Sequence, residues 1–323
     1  MGLLLFLAIG CDTTSGPSTA FVEGVPILST STPFEFEEGG EVGLRSPLLS
    51  PDGKRVALFR VPWSPSPDVS VFDLDGGEIA TFSVERGTAG LDWSPNGERI
   101  VYAAGFAVFT TRPDGSDRRR VGGGVQPTWS PDGRWITYVR TVCADPPSPP
   151  SCGVMIAEDV ELEEEGPVNT VPYGGSPAWH PDGLRLFYSA PRPDEGVEAI
   201  GVATVRPDGL ARKTEILPYR HRFVRDLDIS PDGTRIVFAA EDGTWVAASD
   251  GSWERLVLPT LVEGGNGVAE AEATLTGGAS WTPDGRLIYD LFRASRYAAS
   301  PITGGASAEG VLTVHLVDST TDS

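Results

Sequence analysis

Short runs of apolar and β-branched residues recur along the chain, and each run follows a turn with the pattern Pro-Asp-Gly or Pro-Asn-Gly. The turns are spaced 36 to 52 residues apart and begin at Pro51, Pro95, Pro131, Pro181, Pro231 and Pro283. Proline suits the second position of a type I turn, Asp or Asn the third, and Gly the fourth, so each phrase predicts a tight turn between antiparallel strands. The runs behind the turns, such as Arg55–Phe59 and Arg235–Phe238, are apolar almost without alternation, which predicts strands buried on both faces.

A second pair of strands follows in most repeats. Val69–Gly76 leads to Glu78–Phe82, and Ile200–Gly209 leads to Thr214–Leu217, each time through an Asp-Gly turn. Four strands in a repeat of about 45 residues are typical of a propeller blade. No helical periodicity of useful length is visible. The pattern therefore predicts an all-β fold, a six-bladed β-propeller of four-stranded antiparallel blades.

The phrase Trp-Ser-Pro-Asp-Gly followed by a branched strand resembles the PD40, or TolB-type, β-propeller repeat, and the resemblance covers residues 34–292. It implies six blades, with the ring closed by pairing of residues 21–36 with residues 311–317, which hides strand edges. It also implies a role among envelope proteins, with other envelope lipoproteins as candidate partners. TolB-type proteins carry an α/β domain before the propeller, and the stretch after Cys11 is too short for one, so the resemblance does not extend to TolB itself.

The N-terminal residues resemble the end of a bacterial lipoprotein signal, in which the cysteine is lipidated after cleavage. An apolar run, Leu3–Ile9, is too short to span a bilayer and is followed by Gly10 and Cys11. The run lacks a preceding basic residue, and Ala8 stands where the motif prefers Leu, so an ordinary secretory signal is the alternative. We expect an exported protein of the periplasm or outer envelope, anchored only through Cys11. Its expected parts are a signal (1–11), a tether (12–20), the propeller (21–318) and a tail (319–323).

The other two cysteines, Cys143 and Cys152, bracket a proline-rich loop between two strands. A disulfide there agrees with export and would stabilise the fold by roughly 3 kcal/mol in the chain-entropy model. Two free thiols or a metal pair are the alternatives. Metal ligands are scarce, since the chain has three histidines, His180, His221 and His315. We expect no metal and no cofactor.

The formal net charge of −20 excludes two classes of partner. Nucleic-acid binding depends on Lys and Arg that neutralise phosphates. Electrostatic docking on anionic lipid needs the same residues. The acidic surface favours solubility, and we expect a monomer whose partners are proteins.

No catalytic motif is found in the sequence. It contains no Gly-x-Ser-x-Gly elbow, no glycine-rich phosphate loop and no His-based zinc motif. We therefore predict a non-catalytic binding module and no catalytic residues. The alternative is a propeller hydrolase or lyase that acts on a carbohydrate or lactone. Its acidic residues would be Asp92 and Asp228, just inside the first strands of the second and fifth repeats.

The longer connections between strands should all lie on the face opposite the Pro-Asp-Gly turns, where binding sites on rigid scaffolds usually occur. One of them concentrates aromatic and cationic side chains of the types enriched at binding hot spots. The predicted site for an anionic or carboxylate-bearing partner comprises Trp63, Tyr173, Tyr219, Arg220, His221, Arg222 and Arg225. The alternative is that these arginines pair with neighbours such as Asp226 and Asp228. The tryptophans before the turns are predicted to fill the space between adjacent blades.

Overall fold

The computed structural model describes residues 25–36, 47–60, 68–85, 90–140, 153–159, 169–172, 174–206, 209, 211–259, 261–263, 271–299 and 306–317. Every regular element in these ranges is a β-strand, so the all-β prediction is confirmed. Among the described residues there is no helix that could cross a membrane. The predicted signal (1–11), tether (12–20), tail (319–323) and the cysteines Cys143 and Cys152 lie outside them.

Five sheets have one shared pattern, in which four antiparallel strands are hydrogen-bonded in chain order. Blade 1 contains β2 (Leu48–Leu49), β3 (Arg55–Arg60), β4 (Asp68–Asp73) and β5 (Glu78–Ser83). Blade 2 contains β6 (Leu91–Trp93), β7 (Ile100–Ala104), β8 (Ala107–Thr111) and β9 (Arg119–Gly123). Blade 3 contains β10 (Val125–Trp129), β11 (Trp135–Arg140), β12 (Gly153–Glu158) and β13 (Asn169–Pro172). Blade 4 contains β14 (Gly175–Trp179), β15 (Arg185–Arg192), β16 (Val197–Val205) and β17 (Ala211–Ile216). Blade 5 contains β18 (Arg225–Ile229), β19 (Arg235–Ala240), β20 (Gly243–Ala248) and β21 (Glu254–Pro259).

The last repeat departs from this pattern, and the prediction of six four-stranded blades was wrong in its count. It forms a five-stranded sheet in the order β1-β25-β24-β23-β22. Its strands are β22 (Leu261–Glu263), β23 (Ala271–Trp281), β24 (Leu287–Ala299), β25 (Ala306–Val317) and β1 (Val25–Phe36). The short β22 pairs with the first half of the long β23, which adds a strand at one edge. At the other edge β1 pairs with β25, from Val25 opposite Leu316 to Phe36 opposite Ala306, the N- to C-terminal pairing that the sequence predicts.

The six Pro-Asp-Gly and Pro-Asn-Gly turns have the predicted geometry. In blade 1 the Gly53 nitrogen donates to the Ser50 carbonyl at 2.8 Å, and Gly53 has a φ of 70°. The Ser50 hydroxyl donates to the Asp52 carboxylate at 2.6 Å and accepts from the Arg55 backbone N–H at 3.0 Å. Each later turn repeats the Gly-to-carbonyl bond at 2.8 to 2.9 Å with a left-handed glycine. The turns therefore fix where each first strand ends and each second strand begins.

Apolar side chains fill the boundaries between consecutive sheets. The apolar residue that precedes each Pro-Asp-Gly or Pro-Asn-Gly turn lies in one of these boundaries. These residues are Trp93, Trp129, Trp179, Ile229, Trp281 and Leu49. The packing prediction for the tryptophans is thus confirmed. The five-stranded sheet contacts blade 5 through Trp281, and it contacts blade 1 through Ile288, which packs on Val56. The sheets therefore form a closed propeller.

The topology divides the connections between two faces. The first strand of each blade is innermost, and the turn behind it lies on one face of the propeller, which we call the turn face. The connections from second to third strands, and from one blade to the next, lie on the opposite face, which we call the loop face. Each innermost strand runs from the loop face to the turn face, so its first residues lie at the loop-face end of the central channel.

Candidate functional site

A cavity of about 100 Å³ occupies the central channel. Its lining comes from the innermost strand of all six sheets and from the residues just before those strands. The polar lining residues are Asp92, Gln126, Thr128, Ser176, Asp226, Asp228 and Ser280. The six repeats therefore direct one set of equivalent positions toward a common axis.

A repeated backbone irregularity presents several of these residues. Gln126, Ser176 and Asp226 have φ values of 51°, 41° and 50°, in the left-handed region that favours glycine. Each lies at a register shift near the start of an innermost strand, which is the signature of a β-bulge. Gly90 occupies the same position in blade 2, where a Cβ atom would lie 2.7 Å from the Gln126 Cα. Strained non-glycine residues of this kind cluster at functional sites.

Two of these residues are hydrogen-bonded to each other across a blade boundary. The Gln126 side-chain amide donates to the Ser176 hydroxyl at 3.1 Å, and its Oε1 atom accepts from the Ser176 backbone N–H at 3.0 Å. This paired contact joins blades 3 and 4 at the loop-face end of the channel. Sequence reasoning missed both residues. Alignment of the repeats on their Pro-Asp-Gly turns would have placed them at one shared position.

The two channel aspartates are half-buried and linked to neighbouring sheets. The Asp92 carboxylate accepts from the Trp93 N–H at 2.8 Å, the Thr128 hydroxyl at 2.7 Å and the Trp129 N–H at 2.8 Å. The Asp228 carboxylate accepts from the Ile229 and Trp281 N–H groups, both at 2.8 Å. Each aspartate therefore bridges its own blade to the next sheet.

Burial changes the proton affinity of both carboxylates. It raises the pKa of Asp92 from 3.8 to about 6, against the opposing effect of the hydrogen bonds from Trp129, Thr128 and Trp93. Burial, with a smaller contribution from the negative charge of Asp92, raises the pKa of Asp228 to about 7, against the opposing effect of the hydrogen bonds from Trp281 and Ile229. The structure thus brings together the two residues of the enzyme alternative, with pKa values in the range of a general acid.

The size of the cavity limits the ligands that Asp92 and Asp228 could bind. Drug-sized ligands occupy pockets of roughly 300 to 1,000 Å³, whereas this cavity has about 100 Å³. The hydrogen bonds to Asp92 and Asp228 also use part of the acceptor capacity of both carboxylates. Within the described ranges, no three His, Cys, Asp or Glu side chains are grouped as a metal site requires.

The predicted binding loop connects blade 4 to blade 5 and therefore lies on the loop face. Two of its residues, however, pack against blade 5. Tyr219 is only 3% exposed, and its hydroxyl donates to the carbonyls of Ala248 at 2.6 Å and Trp253 at 2.8 Å. The His221 ring packs against Trp245, with centroids 4.5 Å apart, and its Nε2 atom lies 2.8 Å from the Glu254 carboxylate. The prediction that Tyr219 contributes to a surface site was therefore wrong. Its aromatic ring packs in the boundary between blades 4 and 5.

The three arginines of the loop each lie beside a carboxylate. Ion pairs join Arg220 to Glu195 at 3.2 Å, Arg222 to Glu241 at 3.4 Å and Arg225 to Asp226 at 3.7 Å. Asp226 also lines the channel cavity, so Arg225 lies at its mouth. Trp63 and Tyr173, the other two predicted members, fall outside the described ranges.

The same loop exposes an aromatic residue, Phe223, that is not among the predicted site residues. Phe223 is 59% exposed, has a φ of 58°, and carries the Arg222 guanidinium 5.5 Å from its ring centroid. Bulky residues rarely adopt this backbone conformation. The signal was present in the sequence, because Phe223 lies between Arg222 and Arg225, but nothing there distinguishes an exposed ring from a buried one.

Comparison with known proteins identifies the fold. TolB from Acinetobacter baumannii aligns with 82% of this chain and 66% of its own, at 15% identity and a TM-score of 0.53. The chain has a TolB-like β-propeller fold. It spans just under two thirds of that protein. Hydrazine synthase from Kuenenia stuttgartiensis aligns with 78% of this chain and 76% of its own, at 14% identity and a TM-score of 0.52.

Other comparisons add no functional information. A candidate 6-phosphogluconolactonase from Bacteroides uniformis covers 64% of this TolB-like propeller and 70% of its own chain, at 17% identity and a TM-score of 0.47. That score is too low to support an argument. No protein-family model matches the chain, and no curated protein matches it.

Proposed function

We propose that this TolB-like propeller is an exported, non-catalytic module that binds a protein partner in the cell envelope. The fold likeness to TolB supports the class of protein, and the apolar run before Cys11 supports export. In this proposal the chain is a monomer, a lipid at Cys11 is its only link to the membrane, and other envelope lipoproteins are the first partners to test.

The exposed Phe223 carries the proposal. We call Glu195, Arg220, Arg222, Phe223 and Glu241 the Phe223 surface. It combines an exposed aromatic ring on a strained backbone with two arginine–glutamate ion pairs on the loop face. Aromatic and arginine side chains supply most hot spots of protein interfaces, and backbone strain tends to persist where function maintains it.

The charge arrangement favours a protein over a small anion at this surface. Arg220 and Arg222 already face carboxylates, so a simple anion would have to compete with Glu195 and Glu241. A protein partner can cover the Phe223 ring and exchange these ion pairs at the rim. Arg225 would extend the same contact area, and Trp63 and Tyr173 are further contacts proposed from the sequence alone.

Affinity purification from solubilised membranes, followed by mass spectrometry, tests the proposal. Phe223→Ser should remove the partner, and the triple change R220S/R222S/R225S should weaken its recovery. Phe106→Ser is the matched control, because Phe106 lies on the loop face of blade 2, has a φ of 60° and is 68% exposed. If Phe223→Ser retains every protein that the control retains, the proposal fails.

The second candidate is the hydrolase or lyase acting on a carbohydrate or lactone. The observation that favours it is the pair Asp92 and Asp228, which share one cavity and have raised pKa values. Assays with chromogenic glycosides and with aliphatic and phosphorylated lactones test it. Turnover that disappears in D92N and D228N, while both variants keep the native circular dichroism spectrum, would favour the enzyme over the binding module.

A further inference from the structure

A second, larger cavity lies on the turn face between blades 1 and 2. It has a volume of about 590 Å³, within the range of sites for small molecules. Arginines dominate its lining, which consists of Arg55, Gly97, Glu98, Arg99, Arg112, Pro113, Asp117 and Arg119. Four guanidinium groups against two carboxylates give the lining a net charge of +2 in a chain of net charge −20. We call this cavity the arginine groove.

One carboxylate binds two of the arginines and lies near a third. The Asp117 Oδ2 atom lies 2.7 Å from Arg99 Nη1, 2.8 Å from Arg119 Nη2 and 4.0 Å from Arg112 Nε. The Asp117 carbonyl also accepts from Arg99 Nη2 at 2.7 Å, and Asp117 has a left-handed φ of 52°. The guanidinium groups of Arg99 and Arg119 are thus positioned before any ligand arrives, which lowers the entropic cost of ordering this part of the groove.

Two arginines keep donors that can face a ligand. Arg112 is 63% exposed in its side chain, and its 4.0 Å contact with Asp117 is too long for a hydrogen bond. Arg55 donates through Nη2 to the Gly97 carbonyl at 3.1 Å, and its guanidinium lies 4.7 Å from the Trp93 ring centroid. That stacking fixes the plane of Arg55 without using its remaining N–H groups. The flanking carboxylates are Asp52, 4.0 Å from Arg55, and Asp159, 3.6 Å from Arg99.

The groove arises where the repeat loses a carboxylate. Every other turn has Asp at its third position, and three of these aspartates lie beside an arginine of their own turn: Asp52 by Arg55, Asp182 by Arg185 and Asp284 by Arg286. Blade 2 alone has an amide there, Asn96, whose Nδ2 atom donates to Glu98 at 3.1 Å. Arg99 therefore has no carboxylate at the third position of its own turn and reaches Asp117 instead.

We infer that the arginine groove binds a small oxyanion, a phosphate or a carboxylate group on a small molecule, with Arg55 and Arg112 as its direct contacts. Guanidinium groups bind such oxygens through paired, charge-assisted hydrogen bonds. A small ligand fits better than an acidic macromolecule, because the rest of the chain repels extended negative charge. This site lies on the face opposite the Phe223 surface and does not depend on the proposed function.

Isothermal titration calorimetry with inorganic phosphate and, separately, with citrate tests the inference. Wild-type protein should bind one of the two saturably at about millimolar concentration or below, at a stoichiometry of one, and added NaCl should weaken binding. Saturation by phosphate alone would assign a phosphoryl ligand, and saturation by citrate alone would assign a carboxylate. No saturable heat with either anion would overturn the inference.

Two variants locate the site. Asn96→Asp restores the carboxylate found in the other five turns, so it preserves the turn, and it should weaken binding severalfold by placing a second negative charge beside Glu98 at the edge of the groove. Arg112→Ser should weaken binding by a similar factor. Arg134→Ser is the control. Arg134 follows the blade 3 turn, which keeps Asp132 at its third position, and its guanidinium lies 4.6 Å from the Trp135 ring centroid. Binding that is unchanged in both N96D and R112S, or equally weakened in R134S, would contradict the assignment.

Discussion

Asp92 of blade 2 accepts a hydrogen bond from the backbone N–H of Trp129 in blade 3, with Oδ2 and the nitrogen 2.8 Å apart. Asp228 makes the same contact with Trp281 of the five-stranded sheet, also at 2.8 Å. The two aspartates lie three sheets apart in the ring, and each ties one innermost strand to the next. They therefore link sheet boundaries that apolar packing alone would leave without a polar connection near the axis.

Asp92→Ala should destabilise the fold by about 3 kcal/mol, because it leaves two backbone N–H groups and the Thr128 hydroxyl without their acceptor in a buried site. Equilibrium unfolding in urea measures the change. The control is Asp75→Ala in an exposed hairpin of blade 1, which should change the free energy of unfolding by less than about 0.5 kcal/mol. Equal effects of the two substitutions would refute the role given to Asp92.

The raised pKa values predict that stability falls as pH rises. Folding raises the pKa of Asp92 from 3.8 to about 6 and that of Asp228 to about 7, so the folded state binds more protons than the unfolded state between these values. The free energy of unfolding should therefore decrease from pH 5 to pH 8, by an amount on the order of a few kcal/mol for the pair. Urea unfolding across this range tests the trend.

The matched variant for the pH series is D92N/D228N. It removes both titrating groups, so its free energy of unfolding should depend less on pH than that of wild type, whatever its absolute value. Asp232 does not disturb the test. Hydrogen bonding from Ser230 lowers the pKa of that carboxyl to about 2, so the stability it contributes is lost only at lower pH. A wild-type slope that the double variant reproduces would show that other groups cause it.

Tyr219→Phe separates the packing role of that residue from a binding role. The substitution removes the hydroxyl that donates to the Ala248 and Trp253 carbonyls and should cost about 1 to 2 kcal/mol. Because the hydroxyl is buried, recovery of the membrane partner should not change. A stable Y219F protein that fails to recover the partner would place Tyr219 in the contact surface after all.

The boundary tryptophans should tolerate a smaller apolar residue better than a truncation. Trp179→Ala should cost about 3 to 5 kcal/mol, because it opens a cavity between blades 3 and 4. Trp179→Leu should cost markedly less, since Leu49 occupies the equivalent position of blade 1. Thermal unfolding of both variants compares them, and an equal loss in both would argue that the indole makes a contact beyond packing.

The repeats allowed the fold to be predicted, but they did not determine the number of four-stranded blades. The Pro, Asp and Gly of each turn favour one backbone geometry, so the left-handed conformation of Gly53 and its counterparts could be predicted from the local sequence. The last repeat keeps the same turn at Pro283. Its sheet differs because β1, which is distant in sequence, and β22, which is irregularly spaced, both join it. The pairing of β1 with β25 was expected from the resemblance to closed propellers, whereas no local signal in the sequence indicates that β22 adds a fifth strand.

The candidate site, too, has features that follow from local sequence and features that depend on tertiary contacts. The sequence by itself determined the turns, the boundary tryptophans and the position of Asp92 and Asp228 on innermost strands, because these follow from periodicity and turn chemistry. Only the tertiary structure decided that Tyr219 is buried while Phe223 is exposed, and that each loop arginine faces a carboxylate. It alone gathered Arg55 and Arg112 from different blades into one groove. Such outcomes depend on which side chains converge from separate repeats, and the order of residues along the chain does not specify that convergence.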